Sequence, residues 1–153
     1  MYIATVILLL FVFPVTSVAI DGFALGHHSS LLFLIGKWFV FWAVGVRLFI
    51  AGVRQVIQPE FTAKEIFEIH ESGSLAIVRE LGFANLSMGL LGILSLFRAG
   101  WIVPAAIVGG LYYGLAGTGH VFRKSRNSKE YAAMVSDVFV FLILAGFVVK
   151  SLL

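Results

Sequence analysis

The stretch Leu31 to Ile57 reads LLFLIGKWFVFWAVGVRLFIAGVRQVI, and its only ionisable residues are Lys37, Arg47 and Arg54. A bilayer crossing needs about 20 mainly apolar residues in a helix, and this run exceeds that length without a turn signal until Pro59. Soluble domains do not carry such segments. A guanidinium at Arg47, in the interior of the run, then requires a partner, because hydrocarbon does not hold an isolated charge: even on insertion scales it costs about 2.5–3.5 kcal/mol at the helix centre. The fold is therefore a membrane bundle that must close around Arg47.

The remainder of the 153 residues agrees. The chain is 60% hydrophobic and 12% charged, with a mean hydropathy of +1.02, beyond the range of soluble globular domains. Further apolar runs extend over residues 2–20, 74–97, 101–122 and 131–152. They predict an all-α integral membrane protein, a single compact bundle of four to five transmembrane helices across residues 1–153. The first run lacks a basic leading segment and reads as a retained span with a kink at Pro14, not as a cleaved signal. Asp21, Gly22, Gly26, His27, His28, Ser29 and Ser30 read as the first loop.

Residues 62–71 have another pattern. Ala63, Ile66, Phe67 and His70 share one helical face, and Thr62 with Glu65 has capping-box spacing. This predicts a short amphipathic surface helix, ended by Gly73. The turn Arg98-Ala99-Gly100 is short enough to make its flanking helices antiparallel neighbours. Gly82, Gly89 and Gly92 on one of them, and Gly110, Gly114 and Gly117 on the other, are expected to pack that hairpin together. Trp38, Trp42 and Trp101 read as outer-leaflet anchors, and Phe33, Phe39, Phe41, Phe49, Phe139, Phe141 and Phe147 as lipid-facing or core bulk.

With five crossings, Arg54, Lys64, Arg123, Lys124, Arg126 and Lys129 fall on one side, against Lys37, Arg98 and Lys150 on the other. The positive-inside rule then predicts an inner-membrane protein with its N-terminus in the cytoplasm and its C-terminus outside. The net charge of +3 carries no basic stripe with interleaved aromatics, so nucleic acid is not an expected partner. With no cysteine, disulfides, thiolate metal sites and thiol nucleophiles are excluded. Ser72, Ser74 and Ser87 have no base at motif spacing and no phosphate loop is present, so an autonomous enzyme is not expected.

The same topology gathers the polar residues. Arg47 lies seven residues before Arg54 on nearly the same face, about 10 Å deeper. Arg79, Glu80, Asn85, His120 and Asp137 sit within other helices at the same membrane side, and the six should form one cluster opening toward the cytoplasm. Glu80 is the preferred partner for Arg47, since Asn85 shares its helix; Asp137 is the alternative. Such a pair often serves only to fix helix register, and that structural role stands beside the ligand-binding one. His70 and His120, with Glu71 and Glu80 near them in sequence, make a two-histidine metal site with Glu71 conceivable, and a bis-histidine haem is a further alternative, but the spacing matches no recognised ligand signature and ordinary hydrogen-bonded histidines are the favoured reading.

The stretches Arg79-Glu80-Leu81-Gly82-Phe83-Ala84-Asn85-Leu86-Ser87-Met88-Gly89-Leu90, Trp101, Pro104-Ala105-Ala106 and Tyr112-Tyr113-Gly114-Leu115-Ala116-Gly117 up to His120 resemble small bacterial membrane proteins related to DoxX. Gly45-Val46-Arg47-Leu48-Phe49, Gln55 before Pro59, and Ser136-Asp137 extend the likeness, which covers Lys37 to Phe141. The resemblance implies a small helical bundle near quinone chemistry; DoxX relatives have four spans, so this chain adds a crossing or surface segment. The reading that follows is a protein holding a small amphipathic ligand, a quinone or lipid, at the Arg47 cluster. A proton- or ion-coupled transporter or channel, and a structural subunit of a homo-oligomer or membrane complex, are the alternatives.

Overall fold

A computed structural model describes residues 2–24, 29–122 and 127–153. His27 and His28 of the expected first loop, with Gly26, and Arg123, Lys124 and Arg126 of the positive side lie outside the described residues. The protein is an all-α bundle. Five helices are long and apolar enough to cross a membrane: α1 (Tyr2–Phe23), α2 (Leu31–Ile57), α4 (Ser74–Leu94), α5 (Ala99–Val121) and α6 (Ser128–Leu152). A single short helix, α3 (Phe61–Ile66), separates α2 from α4.

Two of the helices are not uniform. In α1, a wide π-helical turn over Leu8–Val12 leads into an α-helical segment that opens at Phe13–Pro14. Pro14 thus falls in a first turn, where its missing N–H costs little. The ladder accommodates the ring by changing pitch there. In α2, Val40–Arg47 is π-helical and Leu48–Ile57 returns to α, a local widening of the kind found where side chains must be re-aimed.

The glycines pack other helices than the hairpin expected from sequence. A Cβ built on Gly92 would lie 2.4 Å from the Gly45 nitrogen, one on Gly89 2.5 Å from the Phe49 nitrogen, and one on Gly52 2.7 Å from the Leu86 nitrogen. These glycines allow α2 and α4 to touch along their backbones. Gly114 and Gly117 instead seat Phe141 and Val138 of α6, and Gly36 seats Phe147. So α4 belongs with α2 and α5 with α6, and the short turn Arg98-Ala99-Gly100 ties two close pairs. Between them Leu10, Phe39, Val40, Val44, Tyr113, Val140, Leu144 and Phe147 form the core.

At the end carrying Lys37, the expected loop residue Asp21 is buried. It accepts hydrogen bonds from Lys37 Nζ at 2.7 Å and Trp38 Nε1 at 2.9 Å, and Trp42 Nε1 donates to Ser17 Oγ at 2.9 Å. Trp38 and Trp42 therefore also fasten α1 to α2; Trp101 is 44% exposed. The polar cluster lies at the other end, where the two pairs separate.

Candidate functional site: a capped polar cavity

The last turns of α2 lean on α4, while α5 stays with α6, and the separation leaves a cavity of about 350 Å³. Small-molecule sites begin near this size, and it exceeds a single water's share of liquid volume about ten-fold. Its walls are mainly apolar, with Val6 and Leu9 of α1, Leu48 and Ala51 of α2, Leu81 of α4 and Ala116 of α5.

Its polar floor begins with Arg47. Nη1 donates to Asp137 Oδ1 at 3.0 Å and Nη2 to Ser136 Oγ at 3.3 Å, while the guanidinium carbon lies 5.2 Å from the Tyr113 ring centroid. Tyr113 is fully buried and donates through its hydroxyl to the Ala43 carbonyl at 2.5 Å, within the π-helical part of α2. The acid on Arg47 is thus Asp137, not Glu80. Arg79 and Glu80 are exposed, because the glycine face of α4 is turned to α2 and Glu80 lies two residues, about 200°, from Gly82. The expected six-residue cluster is reduced to Arg47, Asn85, His120 and Asp137, all lining the cavity.

Asn85 is 1% exposed. Its Nδ2 donates to Gln55 Oε1 at 2.7 Å, the Tyr112 side chain is hydrogen-bonded to the same carboxamide, and among the described residues no further partner is assigned to the fully buried Oδ1. On the far wall His120 places Nδ1 3.0 Å from Glu130 Oε1, and its ring stacks on Phe67 at 5.9 Å between centroids.

That pairing removes the metal set. His70 and Glu71 are exposed, and among the described residues no three His, Asp or Glu side chains meet in a way that holds an ion.

A short helix partly covers one end. Phe61, Thr62, Ile66 and Phe67 line the cavity, so α3 covers it. The expected surface helix over residues 62–71 is shorter than its pattern suggested. Thr62 is inside the turn and buried, so no capping box forms, and Glu68 takes a positive φ of 56° that ends the helix. The reason lies across the chain. Asn127 Nδ2 donates to the Glu65 and Ile66 carbonyls at 3.2 and 3.4 Å and to Glu68 Oε1 at 3.1 Å, satisfying the groups a longer helix would have used. Lys129 Nζ adds an ion pair to Glu65 Oε2 at 2.5 Å, and the Arg54 guanidinium sits 3.3 Å from the Phe61 ring centroid.

Gln55, Glu130 and the Tyr112–Tyr113 pair were not singled out from sequence as site residues. Glu130 had a signal: Asn127 is the N-cap of α6, accepting from the Glu130 amide at 2.9 Å. Asn three residues before Glu marks that helix start, three residues ahead of the expected Tyr131. Gln55 follows Arg47 by eight residues, on a neighbouring face.

The fold and site define a helical membrane protein with a mainly apolar, partly covered cavity that has buried polar side chains in its lining. The chain belongs to a family of unknown function, DUF6790, whose model matches residues 1–153. No curated protein and no solved structure matches it.

Proposed function

We propose that this protein holds a small amphipathic molecule, a lipid or a quinone, with its polar end at the Arg47–Asp137 floor and its apolar part along the α1, α2 and α5 walls. The observation that carries the reading is a mainly apolar cavity of about 350 Å³ that has the buried Arg47–Asp137 pair among its lining residues. The occupant is amphipathic because the lining is. Arg47, already neutralised by Asp137, offers its remaining N–H groups as donors without a net charge at the floor. The likeness to DoxX-related proteins supports quinone as one such occupant.

The same reading places the protein in the inner membrane, with the capped end and the N-terminus toward the cytoplasm, supported by Arg54, Lys64 and Lys129 at that end. The test is native mass spectrometry with organic extraction of protein purified in a mild detergent. Wild type retains one amphiphile per chain; Ala116→Trp, which fills the cavity from a half-buried wall position, loses it. Equal retention by both, or none by wild type, contradicts the proposal.

A further inference from the structure

The place where the cavity opens says how an occupant enters, and this step rests on the cavity being a ligand site. Of the residues lining it, Thr5, Ile50 and Arg54 are exposed, and the others are buried or half-buried. A side chain that both lines a cavity and reaches the outside marks an opening. Thr5 belongs to α1 and the other two to α2, so the opening lies between these helices and not beneath α3.

The seam parts there for a reason. Leu8–Val12 of α1 packs on Val40–Arg47 of α2, where both helices are π-helical. Past that contact Tyr2–Ile7 packs on α6, while Leu48–Ile57 packs chiefly on α4, with Gly52 against Gly82. The two helices follow different partners and leave a window between them. Toward the membrane surface the window is bounded by the Tyr2 and Phe61 rings, 6.0 Å apart, and by Arg54, 3.3 Å from the Phe61 centroid. Ile50 is 48% exposed and lies about 10 Å from the end of α2. The 27 residues of α2 span about 40 Å against a hydrocarbon core of about 30 Å. Ile50 is thus at hydrocarbon depth, with acyl chains and not water outside the window.

We infer that the occupant is a long-chain membrane amphiphile that enters sideways from the bilayer, its head turned to the Arg47–Asp137 pair and its chain leaving between α1 and α2 past Ile50. The cavity of about 350 Å³ holds about ten groups of water size, enough for a head and the start of a chain but not for a chain of membrane length. The window lets the remainder stay in lipid. A single-chain glycerolipid and an alkylated quinone share this shape.

The experiment is photolabelling of the full chain in phosphatidylcholine vesicles with two probes, a monoacylglycerol and an alkylquinone, each carrying a diazirine midway along its chain. Labelled residues are read by tandem mass spectrometry, with and without an excess of the unlabelled parent. Competition separates a bound chain from bulk lipid, which touches exposed residues without saturating. In wild type, label at Thr5, Ile50 and their neighbours falls roughly ten-fold under a saturating excess of at least one parent, and that parent identifies the head group. Ile50→Trp fills the window from its outer side and loses this competable label.

Absence of competable label from the window, or equal competable labelling of wild type and Ile50→Trp, overturns the inference. Competable label on Phe67, or on Leu81 and Ala116, then leaves the cavity reading standing, with its opening under α3 or between α4 and α5. Its absence everywhere, with no amphiphile recovered from the purified protein, removes both. Should Ile50→Trp not fold, the wild-type pattern decides alone.

Discussion

Removing the carboxylate of Asp137 separates a buried ion pair from a surface one. Arg47 and Asp137 have side chains 14% and 8% exposed, with 3.0 Å between Nη1 and Oδ1. In Asp137→Ala the guanidinium retains Ser136 Oγ at 3.3 Å and the Tyr113 ring, but no counter-charge among the groups contacting it. Breaking a buried pair from one side costs about 3–5 kcal/mol, whereas replacing both partners by apolar groups of similar volume is often neutral. Asp137→Ala should therefore lose about 3–5 kcal/mol, and Arg47→Met with Asp137→Leu should recover most of it. Glu80→Ala, exposed and away from the cavity lining, should stay within about 0.5 kcal/mol of wild type. The assay is reversible unfolding in mixed micelles with increasing SDS, followed by tryptophan fluorescence. Equal losses for Asp137→Ala and Glu80→Ala, or a double variant no better than Asp137→Ala, would refute the assigned partnership.

Other consequences are read with the same unfolding assay or with simple probes. Gly92→Ala puts a methyl 2.4 Å from the Gly45 nitrogen and should cost about 1–3 kcal/mol by overpacking; Gly119→Ala, with open space at its Cβ, should gain about 0.5–1 kcal/mol from reduced backbone freedom. Asn127→Ala removes both the α6 cap and the bonds to α3, so it should lose about 1 kcal/mol and raise amide exchange over residues 61–66. The Lys129 hydrogen bond and charge hold the Glu65 carboxyl below its ordinary value of 4.5. A lowered carboxyl stabilises the cap above that value and ceases to as pH falls through the lowered one. A nitroxide at Lys64→Cys should therefore keep constant mobility from neutral pH down to about 4.5 and loosen only in stronger acid, and less so in Lys129→Ala, where the tether is already absent.

The spans were legible because length and apolarity alone set them: Leu31 to Ile57 matches α2 at both ends. The convergence of Arg47, Asn85, His120 and Asp137 followed from counting crossings, a topological fact that needs no side-chain geometry. The rotation of each helix was harder. On α6, Ala133, Asp137, Val140, Leu144 and Phe147 lie on one buried stripe, which already turned Asp137 inward. On α4 the stripe of Gly82, Asn85, Gly89 and Gly92 turned Glu80 outward, and reading those glycines as the seam of the hairpin with α5 concealed that.

The cap was less legible still. Its length is decided by Asn127, more than sixty positions away from Glu65 along the chain, and hydrogen bonds of that separation leave no mark in local periodicity. Likewise the π-helical winding of Val40–Arg47 has no composition signal; it becomes intelligible once the Tyr113 hydroxyl is found on Ala43. The cavity itself is a consequence of two glycine-packed pairs parting at one end, which no single helix encodes.

The most direct measurement is an experimental density map, at side-chain resolution, of the protein extracted with its own lipids. The account predicts elongated density in the cavity beneath α3, with its polar end near Arg47 and Asp137. A cavity collapsed by side chains, or one holding no elongated density, would contradict it.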